Sequence, residues 1–186
     1  MRIIDDFRAE KTPWKTFYRK AKHTVLGAAP ETWVIKKYIH GLTLNVGAGD
    51  DHIPFTIGVD NYRLEEYTTR KVAVGTIRAD VLHLPFYDGV VDVVVAKHIW
   101  EHVAQKEFLH EMHRVLKLGG TLALVLPNWD YLGDVVYWRD PTHIWRARPK
   151  EVLNLFLTSE DWAVVQFNKL ARWHYPWAFD VVVRAI

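Results

Sequence analysis

There is no cysteine among the 186 residues. That excludes a disulfide framework, a thiolate metal site and a cysteine nucleophile, and it fits a reducing compartment. No apolar run approaches the roughly 20 residues that a membrane-spanning helix needs. Low-complexity tracts and internal repeats are missing as well. The opening Met1-Arg2-Ile3-Ile4-Asp5-Asp6 has no apolar stretch of the kind a secretory leader carries, so the expectation is a cytoplasmic protein without membrane association. A charge excess is also lacking: 24 Lys and Arg face 22 Asp and Glu, for a net +2. Composition therefore does not favour nucleic acid as a partner. Residues 11–23 are the local exception, with Lys11, Lys15, Arg19, Lys20 and Lys22 beside Trp14, Phe17 and Tyr18. The plain reading is a solvated basic helix with an apolar stripe; the sharper one is a contact surface for phosphate or an acidic acceptor.

The length suits one domain with a real core. Nine tryptophans are many for this size, and flat rings suit both cores and ligand pockets. Residues 31–39 place Val34, Ile35, Tyr38 and Ile39 at helical spacing, with Pro30 at a first-turn position and Gly41 ending the helix. Short apolar runs follow at 42–46, 56–59, 76–79, 90–96 and 121–126. The 90–96 run, five valines with Asp92 and Ala96, is apolar on both faces and belongs inside a covered parallel sheet. An amphipathic helix is predicted over 105–117, terminated by Gly119-Gly120, and another over 149–157. Strands at 162–171 and 179–186 leave no room for a helix between them, so they pair antiparallel. The expected fold is α/β: a doubly wound, mostly parallel seven-stranded sheet with a C-terminal antiparallel hairpin and helices on both faces. Within one domain the parts are a helical cap (1–41), a cofactor core (42–128), an acceptor-side insertion (129–160) and the hairpin (161–186).

Leu44-Asn45-Val46-Gly47-Ala48-Gly49 ends a buried strand in a glycine turn, where the backbone can take positive φ and approach a ligand closely. Ligands of open α/β sheets bind beyond the carboxyl ends of the strands. Asp60 and Asp80 follow the second and third strands and so lie on that same rim. One carboxylate can accept from two ribose hydroxyls, the other from an adenine amino group; turn capping is the bland alternative for each.

These residues resemble the class I, Rossmann-like S-adenosylmethionine-dependent methyltransferases, of the type 11 kind. The resemblance runs over 42–128 and the final strand. It rests on Leu44-Asn45-Val46-Gly47-Ala48-Gly49, Gly58-Val59-Asp60, Ala79-Asp80-Val81-Leu82-His83-Leu84-Pro85-Phe86, the run from Val90 through Asp92 and His98 to Glu101-His102-Val103, and Arg114 to Leu122. It implies S-adenosyl-L-methionine as cofactor, with Asn45, Gly47, Ala48, Gly49, Asp60, Asn61, Asp80, Val81, Lys97 and His98 as its contacts. Gly47 and Gly49 would pass under the methionine part, Asp60 would hold the ribose, and Asp80 with the Val81 amide would meet the adenine. The chain departs from the family pattern where Asn45 replaces a frequent acid. It departs again where Asp50-Asp51 stands near the usual third glycine and Pro54 leaves almost no helix after the turn.

His98-Ile99-Trp100-Glu101-His102 matches the His-x-x-Glu-His pattern of inverted zinc proteases. That chemistry needs both histidines on one face of a regular helix, and His98 follows directly on a valine strand. No metal site is therefore assigned. The catalytic candidates are His98, His102 and His143; His98 or His102 suits a general base, because an unperturbed imidazole titrates near neutrality. Beyond the fifth strand, Trp138, His143 and Trp145 are expected to shape an acceptor pocket, within a long aromatic stretch containing Asp140-Pro141-Thr142-His143. The expected activity is methyl transfer to an oxygen or nitrogen of a small-molecule or saccharide acceptor. A nicotinamide-dependent oxidoreductase on the same sheet and a non-catalytic cofactor-binding module are the alternatives. The first predicts a third glycine that Gly47-Ala48-Gly49-Asp50-Asp51-His52 lacks.

Overall fold

The computed structural model describes residues 34–49, 53–61, 76–169 and 176–186. The basic stretch 11–23 and the start of the helix expected at 31–39 lie outside them. What is described of that helix is one 3-10 turn, Lys36–Tyr38, with Ile39 already extended. In a 3-10 turn residues three apart eclipse one another, so Ile35 and Tyr38 reach the same side without an α-helix. Over the described residues the apolar period is thus met by a 3-10 turn where the spacing predicts a longer helix.

Five strands lie close to their expected positions: β1 (Thr43–Val46), β2 (Ile57–Asp60), β3 (Ile77–Arg78), β4 (Val91–Lys97) and β5 (Leu116–Pro127). Helix α1 spans Gln105–Val115 and stops two residues before its predicted end. The glycine pair does not cap it. The Gly89 and Val90 amides instead donate to the carbonyls of Arg114 and Val115 at 2.9 and 3.0 Å, so the loop before β4 satisfies the helix end. Leu116 already pairs with Val91, and the register slips between Val91 and Val93. Gly119, at φ 78°, carries that irregular entry into β5. Helix α2 (Trp129–Tyr137) lies in the stretch expected as the acceptor-side insertion; Gly133, at φ 66° and ψ 169°, breaks it into two short pieces whose periodicity does not persist. Helix α3 is Pro149–Leu157 as predicted, followed by β6 (Trp162–Asn168) and β7 (Ala178–Ala185).

The seven strands form one sheet in the order β3-β2-β1-β4-β5-β7-β6. All neighbours are parallel except the β5–β7 and β6–β7 pairs. Alternate residues of the central strands feed two separate cores, as the two-residue strand period requires. Val94, Ala96, Leu122, Leu124, Val181 and Val183 face one side, packed with Phe108 and Met112 of α1 and Val152 and Phe156 of α3. Val93, Val95, Ala123, Val125 and Val182 face the other, against Ile35, Ile53, Val34, Tyr38 and Ile39. Asp180 of β7 is fully buried and held by Gln166 and Asn168 at 2.7 to 3.1 Å; burial pushes its carboxyl above the ordinary value. Among the described residues no helix is long and apolar enough to cross a membrane.

Candidate functional site

The strand order places the site. The chain runs outward from β1 to β2 and β3, then returns to β4 on the other side of β1. Strands β1 and β4 are parallel neighbours, with Val46 opposite Ala96. Their carboxyl ends therefore flank the topological switch point, where open α/β sheets bind ligands.

Gly47 and Gly49 both have positive φ, 66° and 51°, and they differ in what surrounds them. The Gly47 and Ala48 amides donate to the Val59 carbonyl at 2.8 and 3.2 Å. A Cβ on Gly47 would lie 2.7 Å from Cβ of Ile99, just beyond β4. A Cβ on Gly49 would meet nothing within 4 Å, so the turn is open on that side. The Gly49 amide donates to Oδ2 of Asp60 at 2.9 Å. Asp60 is buried, and a carboxylate offers about four lone-pair sites, so this bond is compatible with further donors. Asp80 is different: its side chain is 57% exposed, and Oδ1 accepts the Leu82 amide at 2.9 Å in a local turn. The capping role is thus present at Asp80, with capacity left over on the same carboxylate. Asn45, Ala48 and Val81 are buried, Lys97 and His98 are half-buried, and Asn61 is exposed directly after Asp60. An open glycine turn with two carboxylates on one rim fits an adenosine-containing cofactor.

The other side of the crevice holds the histidines. His98 has φ 50°, a left-handed conformation that costs a non-glycine residue about 1 kcal/mol or more. Its amide is anchored on the Val125 carbonyl at 2.9 Å. A 3-10 turn, Trp100–His102, follows, so the regular helix an inverted zinc protease requires is absent here. Trp100 is fully buried and packs against Phe108, Trp145 and Phe156, with ring centroids 5.7, 5.2 and 5.8 Å away. The Trp145 indole donates to the Trp100 carbonyl at 2.9 Å, and the Ile144 amide to that of Glu101 at 2.9 Å. Tyr137 is buried, donates to the Trp145 carbonyl at 2.8 Å and accepts the Ala147 amide; burial pushes its phenol up. The segment after α2 is thereby bolted onto the turn after β4.

This docking brings His143 against His102, with ring centroids 4.7 Å apart. Nδ1 of His102 lies 2.8 Å from Oγ1 of Thr142, whose hydroxyl donates to Oδ1 of Asp140. Nδ1 of His143 lies 2.8 Å from the Tyr137 carbonyl. Burial alone would raise the Asp140 carboxyl. The Thr142 hydroxyl and amide, with the two histidines, outweigh burial and hold it below the usual carboxylate range. Burial also pushes the His143 imidazole below its ordinary value. Between the histidines sits Glu101, fully buried, with neither carboxylate oxygen hydrogen-bonded among the described residues. Its Oε1 is 3.6 Å from Nδ1 of His98 and 3.8 Å from Nε2 of His102.

Of the three aromatics expected at the acceptor side, only His143 joins this cluster. Trp145 packs on Trp100. Trp138 faces an exposed group in which the Trp129 and Trp138 indoles and Arg146 converge on Asp134. Reasoning from sequence missed Trp100 as the packing hub, Tyr137 as its support through the Trp145 carbonyl, and Asp140 and Thr142 as the groups that hold His102. Asp before Pro is a turn signal, but nothing in the sequence says what that turn holds.

The sheet order and the glycine turn define a Rossmann-like, nucleotide-cofactor-binding fold, and comparison with known proteins narrows this. The family model described as Methyltransferase domain matches residues 55–124. An uncharacterized methyltransferase of Mycolicibacterium gilvum is 30% identical over 145 residues, covering 69% of this chain and 57% of that protein. An uncharacterized protein of Methanocaldococcus jannaschii is 43% identical over 56 residues, 30% of this chain and 25% of that one. The crystal structure of an S-adenosylmethionine-dependent methyltransferase from Mesorhizobium loti superposes with a TM-score of 0.63 over 86% of this chain and 99% of that chain; at 15% identity it attests to the fold. Residues 55–124 thus match a methyltransferase domain, and the chain as a whole has the fold of class I, Rossmann-like S-adenosylmethionine-dependent methyltransferases. It spans only about half the length of the methyltransferases it matches by sequence, 54% and 57% in two of them.

Proposed function

We propose that the protein transfers a methyl group from S-adenosyl-L-methionine to an oxygen or nitrogen of a polar small-molecule or saccharide acceptor. One observation carries this reading: the hydrogen bond from the Gly49 amide to the Asp60 carboxylate. It locks the open glycine turn and the acid after β2 into a single unit at the switch point. In this reading Asp60 would accept from the ribose hydroxyls and Asp80 from the adenine amino group, and the turn around Gly47 and Gly49 would hold the methionine part. The bound cofactor supplies an electrophilic sulfonium methyl. The chain holds the acceptor in line and keeps water away, which alone accounts for much of the acceleration in such transfers. His98, on the strained residue after β4, takes the role of proton acceptor where the nucleophile carries a proton.

Calorimetry with S-adenosylhomocysteine against NADH tests the reading. The first ligand is expected to bind and the second not. Asp60→Ala removes a charge-assisted acceptor worth about 1.5–3 kcal/mol, so affinity falls roughly 10- to 100-fold. Asp80→Ala, at a more exposed carboxylate, costs about 1 kcal/mol, or about 5-fold. Unchanged affinity in both variants overturns the site. Release of S-adenosylhomocysteine on a panel of hydroxyl- and amine-bearing acceptors, sugars included, then separates a transferase from a binding module.

A further inference from the structure

We propose that Glu101, His102 and His143 bind one divalent transition-metal cation. One ligand atom from each residue can be chosen so that all lie within 4.8 Å of one another. In a tetrahedral zinc site with bonds of 2.0–2.1 Å the ligand atoms stand about 3.3 Å apart. The set therefore closes on a cation with side-chain shifts of about 1 Å or less.

The hydrogen bonds decide which atoms are presented. The Thr142 hydroxyl has one proton and gives it to Asp140, so toward His102 it can only accept, and Nδ1 of His102 carries its proton there. Nδ1 of His143 faces a carbonyl and must also donate. In the neutral rings both Nε2 atoms are left with lone pairs. Metal-binding histidines are commonly oriented in this way, with the second ring nitrogen held by a carboxylate relay or a backbone carbonyl. Asp140–Thr142–His102 is such a relay.

Glu101 is an independent sign. A fully buried carboxylate whose two oxygens lack hydrogen bonds among the described residues, with imidazoles no nearer than 3.6 and 3.8 Å, is better compensated when a cation joins it. Two imidazoles and one carboxylate suit Zn2+, Co2+ or Ni2+, whereas Mg2+ prefers an all-oxygen shell. Three protein ligands leave a coordination position open, as catalytic metal sites do. The site is next to the glycine turn, because Ile99 packs directly on Gly47. One step further rests on the methyl-transfer reading. At the open position an acceptor hydroxyl would break its O–H bond more readily, passing the proton to His98 and keeping the electron pair on oxygen. The acceptor class narrows accordingly to hydroxyl-bearing compounds.

Chelator-treated full-length protein is titrated with Co2+, Zn2+ and, as a contrast, Mg2+. The proposal expects one equivalent of Co2+ or Zn2+ per chain, a visible cobalt absorption band and a raised melting temperature, with Mg2+ giving none of these. His102→Ala and His143→Ala each lower Co2+ affinity by tenfold or more. Thr142→Val, which frees the His102 ring, lowers it roughly tenfold. Glu101→Gln weakens the cation too, yet it raises the melting temperature of the metal-free protein by removing a buried charge that no hydrogen bond satisfies among the described residues. A purely structural Glu101 gives the opposite shift. Two results overturn the proposal: wild-type protein that takes up none of these cations stoichiometrically, or one that binds a cation retained by all three ligand variants. S-adenosylhomocysteine affinity measured on the same samples separates the two claims. Its loss with cation binding intact defeats the methyl-transfer reading alone, and the reverse defeats the cation site alone.

Discussion

The two sides of the crevice are built differently. On the cofactor side the contacts are short in sequence: Gly49 to Asp60 spans 11 residues and Leu82 to Asp80 spans 2. Strand register does the positioning, since each residue stands at a strand's carboxyl end. On the acceptor side Thr142 reaches His102 across 40 residues and Trp145 reaches Trp100 across 45. There a buried aromatic hub does it. The cofactor side can therefore survive damage that disorganises the histidines, and the hub is the place to test this. Trp100→Ala empties the centre of the Phe108, Trp145 and Phe156 cluster. The expected cost is about 3–5 kcal/mol, read from denaturant unfolding. In the folded fraction Co2+ binding is lost and S-adenosylhomocysteine binding persists. Loss of both together shows that the two sides form one unit.

The glycine turn sharpens the comparison, because its two glycines belong to different sides. Gly47→Ala adds strain at positive φ, about 1–2 kcal/mol, and forces Ile99 away, with overpacking worth about 1–3 kcal/mol more. Gly49→Ala bears only the first cost, since its Cβ would enter open space. A loss near 3 kcal/mol for Gly47→Ala against one near 1 kcal/mol for Gly49→Ala is expected from melting curves. Gly47→Ala should in addition weaken Co2+ binding through Ile99 and Glu101, and Gly49→Ala should not. Equal losses with no effect on the cation mean that Ile99 does not couple the two sides.

The same contrast explains what was legible in the sequence. Strand β4 was readable because a valine-rich run buried on both faces has few alternatives, the other parallel strands because short apolar runs recur around it, and the places of Asp60 and Asp80 because position at a strand's end fixes the rim they occupy. Failures came where local signals were ambiguous or contacts distant. Gly119-Gly120 signals a helix cap as well as it signals an irregular strand entry, and only the Gly89 and Val90 amides, from another loop, decide between them. Gly133 hides α2 by breaking its period. Glu101 and His102 were visible as a motif, but their approach to His143 depends on Trp145 packing edge-to-face against Trp100, which no spacing rule reveals.

The amino-terminal end of the central strand β4 supplies the weakest expected effect and a control for both sides. Asp92, near the start of β4, accepts the Leu42 amide at 2.8 Å and the Lys117 ammonium at 2.6 Å. The Lys117 hydrogen bond, helped by the Leu42 amide, holds its carboxyl below the ordinary value of about 3.9. A carboxyl whose folded value is depressed contributes stability that is complete above its unfolded value and is lost as pH falls through the folded value. Asp92→Asn should therefore cost about 0.5–1 kcal/mol at pH 7, as a partly exposed ion pair does. The gap to wild type should shrink below about pH 4, as the wild-type carboxylate protonates. Binding of S-adenosylhomocysteine and of Co2+ should be unchanged, because Asp92 lies at the end of β4 away from the rim. A pH-independent gap would mean that Asp92 acts through its hydrogen-bonding shape and not its charge. Altered binding of either ligand would mean that strain crosses the full length of β4, and that the rim is less insulated from the far end than its separate contacts suggest.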